Sequence, residues 1–394
     1  MTDNGRTHPP RIKTTKLHDD NPIIIVGGGC IGLSTAYNLA QSSSSSPKTR
    51  IIVIEAFDKP FAAASSTCTG CFHYSFPEPQ STPLLPLGKF SFDLWAAEAE
   101  KPDFRTATGY RAQSSFGIDP GVHTTTVNPL GLGKWLTRRC LKMGVELRTG
   151  WKAVGVDLSS GNKVQALTCL KEDQTTTRIK CKQLLLACGP WTPTVYQRLF
   201  PSSTIRLQWT TNAGDWIICK NPCPTSQDSV AFVSFAGLIG EKFEFAGRND
   251  GTIWACGRRN LTAVLPSPGH SDTPDQQLIN ELRGRAREWL NWGCNCAEKH
   301  TDDFQILSQG RAFRPATRSG LPVMSEVPPS GLSIDVTEDG RATTSSSVVF
   351  VCWGHGSWGL TLGMGSGRLM AQLMRGEKPG IDMFPFSLEQ TIST

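Results

Sequence analysis

The chain has 394 residues, of which 38% are hydrophobic and 19% are charged, an ordinary composition for a globular protein. This composition excludes a collagen, a coiled coil or a disordered polymer as a description of the whole chain. The formal net charge of +6 is small for this length, and no basic block alternates with aromatic residues. We therefore expect no nucleic-acid partner. The length predicts about two or three domains, or one core with a large insert.

The first 20 residues are polar and include several charges together with Pro9 and Pro10. They predict a disordered tail over residues 1–20 and do not resemble a signal peptide. The 13 cysteines are an odd number, and we interpret them as reduced thiols of a cytoplasmic protein. Residues 342–367 contain no Asp, Glu, Lys or Arg, but they are rich in Gly, Ser and Thr. This stretch is too polar for a membrane span, so none is expected.

Two cysteine pairs raise the question of a metal site. Cys68 and Cys71 are separated by two residues, and Cys294 and Cys296 by one. Neither pair has a second pair at the spacing that zinc sites use, so we expect no metal.

The first predicted elements form a β-strand, α-helix, β-strand unit. Ile23–Val26 is a fully apolar run that is typical of a buried parallel strand. A glycine-rich turn and a helical stretch to about Gln41 follow, and Arg50–Glu55 is the second apolar strand. A low-complexity serine loop over residues 42–46 separates the helix from that strand.

The rest of the chain predicts further strands and helices. In chain order they are a helix at Leu132–Met143, a strand at Val145–Leu147, a hairpin of Ala153–Leu158 and Lys163–Leu170, and a strand at Gln183–Ala187. A mostly antiparallel sheet is predicted from Ile205–Trp209, Asp215–Cys219, Phe243–Phe245 and Thr252–Cys256. The last elements are a helix capped by Thr273-Pro274-Asp275, a strand at Val348–Cys352 and a helix at Ser366–Arg375.

The glycine-rich turn carries the clearest chemical signal. Gly27, Gly29 and Gly32 fit the pattern G-x-G-x-x-G between a strand and a helix. In this pattern the first glycine makes the tight turn, the second admits a pyrophosphate, and the third lets the helix pack on the strand. Glu55 ends the second strand, where an acid would accept a hydrogen bond from a ribose hydroxyl. The unit predicts a bound dinucleotide.

Three further segments, in this order, resemble the D-amino-acid oxidase/glycine oxidase superfamily of FAD oxidoreductases. They are Ala63-Ala64-Ser65-Ser66-Thr67, Leu185-Leu186-Ala187-Cys188-Gly189-Pro190-Trp191 and Gly354-His355-Gly356-Ser357-Trp358-Gly359-Leu360-Thr361. The stretches 90–95 and 109–111 look like a fungal branch of FAD oxidoreductases whose substrates are mostly unassigned. The resemblance covers residues 22–76, 125–200 and 308–376 and is weak over 201–300.

The resemblance implies an α/β fold with two domains. One is a Rossmann-like FAD-binding domain, discontinuous in sequence, over residues 21–75, 124–200 and 305–394. The other is a mixed-sheet, α+β substrate domain over residues 76–123 and 201–304.

The resemblance also implies which residues contact the cofactor, FAD. They are Gly27, Gly29, Cys30, Ile31, Gly32, Glu55, Ser65, Ser66, Thr67, Val154, Ala187, Gly189, Trp191, Gly354, His355, Gly356, Ser357, Trp358, Gly359, Leu360 and Thr361. Of Trp209, Trp216, Trp254, Trp353 and Trp358, only Trp358 is expected near the flavin. Relatives that attach their flavin covalently use a Cys in the segment corresponding to 311–317, where Ala312 stands here. We therefore expect FAD to be bound without a covalent bond.

Arg314 and His355 are the predicted catalytic residues. The segment from Gly310 to Pro322 resembles the family's G-x-R-P-x-T-x-D-G-x-P pattern, in which the Arg before Pro binds a substrate carboxylate. The alternative for Arg314 is a structural ion pair. Ser319 departs from the pattern, which often has Asp there. His355 is a base, a positive partner of reduced flavin, or a loop residue that holds its neighbours by hydrogen bonds.

The expected reaction is hydride transfer from a C–N bond of an amine or amino acid to flavin. Dioxygen, or another electron acceptor, would then reoxidise the flavin, and with dioxygen the products are an imine and hydrogen peroxide. The substrate is expected to be a small molecule that bears a carboxylate. Two alternatives stay open: a flavin-dependent alcohol oxidase or dehydrogenase of specialised metabolism, and a non-catalytic FAD-binding protein.

Overall fold

The structure, a computed structural model, describes most of the chain. The described residues are 21–41, 49–73, 76, 81–113, 115–116, 124–159, 162–221, 232–236, 242–248, 250–291, 305–332 and 349–392. The predicted tail over 1–20, the serine loop over 42–46 and the pair of Cys294 and Cys296 lie outside these residues.

The described residues form helices and strands at most of the predicted places. The helices are α1 (Cys30–Ala40), α2 (Leu84–Ala99), α3 (Pro102–Thr108), α4 (Pro129–Lys142), α5 (Thr192–Leu199), α6 (Gln276–Asn291), α7 (Gly363–Met374) and α8 (Leu388–Ile392). The strands are β1 (Ile23–Val26), β2 (Ile51–Ile54), β3 (Cys71–Phe72), β4 (Arg111–Gln113), β5 (Ser115–Phe116), β6 (Thr124–Thr126), β7 (Glu146–Arg148), β8 (Lys152–Leu158), β9 (Val164–Leu170), β10 (Thr176–Lys180), β11 (Gln183–Leu186), β12 (Trp209–Thr210), β13 (Ala213–Lys220), β14 (Phe232–Ala236), β15 (Lys242–Gly247), β16 (Thr252–Asn260), β17 (Ile306–Phe313), β18 (Ala316–Thr317), β19 (Val323–Glu326) and β20 (Val349–Trp353).

The first sheet has the strand order β19-β20-β11-β1-β2-β7 and is parallel except for β19 at its edge. Strand β1 lies at its centre and is buried at every position, which explains why its sequence is apolar without alternation. Ile23 and Ile25 pack against α1, α4 and α7 on one face. Ile24 and Val26 pack on the other face, against the β10-β9-β8 sheet and α5. The result is a three-layered α/β unit, which we call the first body, and the predicted fold class is confirmed.

The second large sheet has the order β17-β13-β16-β15-β14-β5 and is antiparallel apart from the β14–β5 pair. Helix α6 covers one of its faces through Ile279, Leu282 and Ala286. We call this sheet, with α6 and the loop between β16 and α6, the second body. As predicted, Asp275 caps α6, because its carboxylate accepts hydrogen bonds from the backbone N–H of Gln277 and Leu278. Residues on the opposite face of this sheet line a cavity.

The predicted strand at Ile205–Trp209 is wrong over most of its length. Only Trp209–Thr210 forms a strand, paired with Ala316–Thr317. Ile205 and Leu207 are buried against the first body, so their alternation with polar residues reflects burial and not a sheet. The Ser203 hydroxyl accepts the N–H of Ile205 at 3.1 Å, a bond that a neighbouring strand would otherwise supply.

Helices α2 and α3 lie within residues 76–123, the range assigned above to the substrate domain. Both helices pack in the core of the first body instead, α2 mainly against α7 and α3 against α4. Trp95 of α2 stacks on Phe72 and donates a hydrogen bond to the carbonyl of Leu360. These buried aromatic and backbone contacts join α2 and α3 to the first body. The domain limits stay a prediction.

In the part of the chain that the structure describes, no helix is both long and apolar enough to cross a membrane.

Candidate functional site

A cavity of about 650 Å³ lies between the carboxyl ends of the parallel strands and the open face of the second sheet. Its volume falls in the usual range for small-molecule sites. Val26, Glu55 and Trp353, at or directly after the ends of β1, β2 and β20, lie on one wall. Trp216 of β13 and Trp254 of β16 lie on the other. Ligands of open α/β sheets bind at this edge of the sheet.

The glycine-rich turn has the geometry that its sequence predicts. Gly27 has φ of +115°, and a Cβ there would lie 2.2 Å from the carbonyl oxygen of Ala187. A Cβ on Gly32 would lie 1.9 Å from the carbonyl oxygen of Gly27, so this position must also be glycine. Gly27, Gly29, Cys30 and Ile31 line the cavity, whereas Gly32 packs behind them. The N-terminus of α1 therefore opens onto the cavity, where its dipole favours an anion.

Glu55 lines the cavity and also holds the turn. Its carboxylate accepts the N–H of Gly28 at 2.7 Å and the N–H of Phe57 at 2.9 Å. Burial raises the pKa of Glu55, and the two backbone donors oppose that change. Glu55 thus stabilises the glycine-rich turn through Gly28, a role that the sequence did not reveal. Its contact with a ribose stays a prediction.

The loop after β2 brings Ser65 and Thr67 to the cavity wall, whereas Ser66 turns away and donates its hydroxyl to the carbonyl of Ala63. The second sheet holds this loop. Trp254 donates its indole N–H to the carbonyl of Thr67 at 2.7 Å, and Arg248 donates to the carbonyl of Cys68 at 3.0 Å. Sequence reasoning missed both roles, because nothing in the local pattern marks a contact across about 180 residues.

Near the predicted contact Val154, the neighbouring residues Lys152 and Ala153 line the cavity, whereas Val154 does not. Ala187, Gly189 and Trp191 also lie on the wall. The contacts of these residues with FAD stay predictions. Trp191 donates its indole N–H to the carbonyl of Pro266 at 2.6 Å, which fastens a loop of the second body over this end.

The loop over 354–361 reaches the wall in part. His355, Gly356, Ser357, Gly359 and Leu360 line the cavity. The other three predicted residues, Gly354, Trp358 and Thr361, are not on the wall.

The ring of Trp358 packs edge-on against His73 and Phe76, at centroid distances of 4.8 and 5.1 Å, and lies against the core of the first body. Its expected position near the flavin stays a prediction. The tryptophans on the cavity wall are Trp151, Trp191, Trp216, Trp254 and Trp353.

His355 is 2% exposed, and its Nε2 lies 3.0 Å from the hydroxyl of Ser366. Burial lowers the pKa of His355 to about 3. Burial thus favours the neutral ring. The three interpretations of His355 stay predictions.

Four residues on the wall have buried polar atoms without a hydrogen-bond partner in the described part of the chain. The atoms are Thr67 Oγ1, Trp216 Nε1, Trp353 Nε1 and His355 Nδ1. Unsatisfied buried polar groups are costly, so such a cluster indicates a polar ligand.

The charges on the wall fit an anionic ligand. The cationic residues are Lys152, Arg198, Arg258, Arg259 and Arg314, whereas the described carboxylates there are Glu55 and Glu244. This excess, together with the α1 N-terminus, favours anionic groups on whatever the cavity binds.

Arg314 lies across Gly214. A Cβ on Gly214 would be 2.6 Å from Nη1 of Arg314, so the missing side chain makes room for the guanidinium. Nη1 donates to Asn212 Oδ1 at 3.3 Å, and Nη2 lies 3.9 Å from Cys256 Sγ. Within the described residues no carboxylate pairs with Arg314, which leaves its charge available to a ligand.

The structural ion pair considered for Arg314 belongs to Arg311. The guanidinium of Arg311 makes two bonds to Asp215, at 2.7 and 3.0 Å, and one to Asp272 at 3.0 Å. Ser319 also keeps the local loop closed, because its hydroxyl accepts the N–H of Leu321 at 3.3 Å. Although Ser319 replaces the Asp that is frequent in the family pattern, its side chain still forms a hydrogen bond within the loop.

No group of three or more His, Cys, Asp and Glu side chains suited to a metal ion occurs among the residues that the structure describes.

Comparisons with known proteins identify the family and the fold. A family model described as FAD dependent oxidoreductase matches residues 22–116 and 111–373. A Schizosaccharomyces pombe protein provisionally named an oxidoreductase is 22% identical over 409 residues, covering 91% of this chain and 95% of that protein. Glycine oxidase from Geobacillus kaustophilus has a TM-score of 0.67 at 18% identity, over 93% of this chain and 98% of the other. L-Amino acid deaminase from Proteus myxofaciens has a TM-score of 0.69 at 17% identity, over 94% and 93%.

We expect Glu55→Ala to weaken FAD binding by about tenfold or more, because a charge-assisted hydrogen bond is lost. Glu55→Gln should retain part of the affinity, since its amide oxygen can still accept the N–H of Gly28. Titration of the apoprotein with FAD, followed by quenching of flavin fluorescence, measures the effect. Glu146→Ala is the control, because Glu146 lies in the same sheet and pairs with Arg50 at the surface. Unchanged affinity in Glu55→Ala would contradict the assignment.

Burial of His355 should make stability depend on pH. The pKa is near 6.5 in the unfolded chain and about 3 in the folded one. Between these values the unfolded state binds one more proton, so the contribution is complete above pH 6.5 and declines as the pH falls toward 3. Wild type should lose on the order of 1 kcal/mol more unfolding free energy than His355→Asn between pH 6.5 and 5.5. Denaturant unfolding at the two pH values measures this difference, and equal losses would refute the neutral buried ring.

Proposed function

This chain belongs to the family of FAD-dependent oxidoreductases, and from that premise we propose that it oxidises the C–N bond of an amine or amino acid that bears a carboxylate. The observation that carries the proposal is Arg314, whose guanidinium lies on the cavity wall without a carboxylate partner among the described residues. A planar guanidinium remains charged and can bind a carboxylate through two parallel hydrogen bonds. The electron acceptor in this proposal is dioxygen.

The residues described above fit FAD. The α1 N-terminus and Gly29 would hold its pyrophosphate, Glu55 its ribose, and the His355–Leu360 loop its flavin ring. When bound, FAD would supply the two-electron redox chemistry that the side chains of this protein lack. The task of the chain is then to bind the substrate, orient it and exclude water.

The open face of the second sheet supplies the substrate end of the cavity. Arg314 would bind the carboxylate, while Trp216 and Trp254 form apolar walls beside it. Cys256 lies between Glu244 and Arg314. Its Sγ is 3.8 Å from Oε2 of Glu244 and 3.9 Å from Nη2 of Arg314. In this proposal the Glu244 carboxylate accepts a proton from the substrate ammonium, since an amine must be neutral before it can be oxidised. The buried, neutral His355 holds Ser366 by a hydrogen bond.

A direct test is anaerobic bleaching of the bound flavin. Amino acids, simple amines and polyols are added separately to the purified protein, and the loss of visible flavin absorbance is followed. Bleaching by carboxylate-bearing amines, with peroxide formed after air is admitted, is the expected result. Bleaching by polyols alone would instead favour the alcohol oxidase, and bleaching by none would favour a non-catalytic FAD protein.

Arg314→Ala should raise KM for the substrate and lower kcat/KM by about tenfold or more, because a charge-assisted pair is lost. The content of bound FAD should not change. Arg314→Lys should restore only part of the loss, since an ammonium lacks the planar fork. Steady-state kinetics with the substrate found by bleaching measure these effects. Unchanged kinetics, or a variant stripped of FAD, would remove Arg314 from the substrate site.

A substitution of Gly214, which lies against the Arg314 guanidinium, tests the position of Arg314 in a second way. In Gly214→Ala the new methyl group would displace a flexible guanidinium, so the protein should fold while KM rises. Gly155→Ala is the matched control, because Gly155 is also in a strand and its Cβ would meet nothing closer than Thr168 Cβ at 3.7 Å. Equal KM values in the two variants would contradict the position assigned to Arg314.

The flavin should be released by acid precipitation, because no reactive thiol occupies the position of Ala312 on the wall. Cys30 and Cys71 also line the cavity, but burial raises the pKa of each thiol to about 12. Such thiols are protonated and poorly nucleophilic. Absorbance of the supernatant and the pellet after precipitation measures release, and a yellow pellet after washing in denaturant would show a covalent bond.

A further inference from the structure

The second sheet places another arginine beside Arg314. In the pairing register Gly214 of β13 lies opposite Ala312 of β17 on one side and opposite Arg259 of β16 on the other. Directly paired residues point to the same face of a sheet, with Cβ atoms about 5 Å apart. The Arg259 side chain therefore starts next to the position over which the Arg314 guanidinium lies, and both residues line the cavity.

The neighbouring arginines are neutralised, whereas Arg259 is not. Arg258 pairs with Glu281 of α6 at 3.5 Å, and Arg311 pairs with two aspartates on the α6 side of the sheet. In the described chain no hydrogen bond or ion pair joins the Arg259 side chain to another residue. One wall of the cavity thus holds two arginines, Arg259 and Arg314, without a carboxylate partner among the described residues.

The carboxylates on the wall lie elsewhere. Glu244 is on β15, in the next row of the sheet, where it pairs with Cys256. Glu55 is on the opposite body and accepts two backbone N–H groups. Two like charges on one wall repel each other, and an anionic group near each of them would relieve that repulsion.

We infer that Arg259 forms a second anion-binding position, and that the substrate is an amine with two carboxylates. This inference rests on the proposed function, in which Arg314 binds the first carboxylate. The second carboxylate binds Arg259, which is exposed and therefore lies toward the mouth of the cavity. Aspartate and glutamate are amino acids of this class, so they are the substrates with which the inference is tested.

Arg259→Gln tests the inference in the holoenzyme. With aspartate and glutamate, as both enantiomers, kcat/KM should fall by about tenfold or more, since a charge-assisted hydrogen bond is lost. With alanine and glycine it should change less than about twofold. Arg178→Gln removes the same charge from an exposed strand residue paired with Asp157 and should affect neither group. Equal effects on dicarboxylic and monocarboxylic amino acids would overturn the inference while leaving the proposed function intact.

A binding measurement tests the position without turnover. Succinate and butyrate both have four carbons and differ in one carboxylate, and each is titrated while the flavin absorbance is recorded. Wild type should bind succinate at least about tenfold more tightly, and Arg259→Gln should abolish that preference. Equal affinities in wild type would overturn the inference even if no amino acid bleaches the flavin, an outcome that would separately refute the proposed function. Loss of FAD from Arg259→Gln would assign the residue to the cofactor and would also overturn it.

Discussion

The close approach of Gly27 to the carbonyl oxygen of Ala187 is the constraint on which the site depends. A single Cβ would stand 2.2 Å from that oxygen, so the end of β1 meets the end of β11 only because the side chain is missing. Gly32 repeats the requirement one helical turn later, where α1 packs back on the turn. These two contacts bring the N-terminus of a helix to the edge of a parallel sheet, and the anion-binding end of the cavity follows from them.

The second body completes the cavity through a few hydrogen bonds to backbone carbonyls. Trp254 and Arg248 of the second body donate hydrogen bonds to the carbonyls of Thr67 and Cys68 in the first body. Trp191 of the first body donates one to the carbonyl of Pro266 in the second. Each bond joins a side chain of one body to the main chain of the other. In the proposed function, the first body would therefore bind the cofactor, and the open face of the second sheet would bind the substrate.

Local sequence patterns predicted the first body well because its elements are local. An apolar run, three spaced glycines and a terminal acid all fall within about 30 residues, and the structure shows the expected strand, turn and helix. The predicted strand at Ile205–Trp209 shows where such patterns fail. Its residues alternate as in a strand, but Ile205 and Leu207 are buried against the first body and not in a sheet. Periodicity records burial, not the identity of the neighbour that buries a residue.

The sequence by itself determined the fold class and the glycine-rich turn with its acid, and it singled out Arg314, whose role toward a substrate is a proposal. Each of these is marked by residue types at short, regular spacing. Only the tertiary structure decided that Gly214 makes room for Arg314 and that Arg259 stands beside both. Strand pairing brings these three positions together from segments up to 100 residues apart. Register between distant strands depends on the packing of the whole sheet, and no local pattern records it.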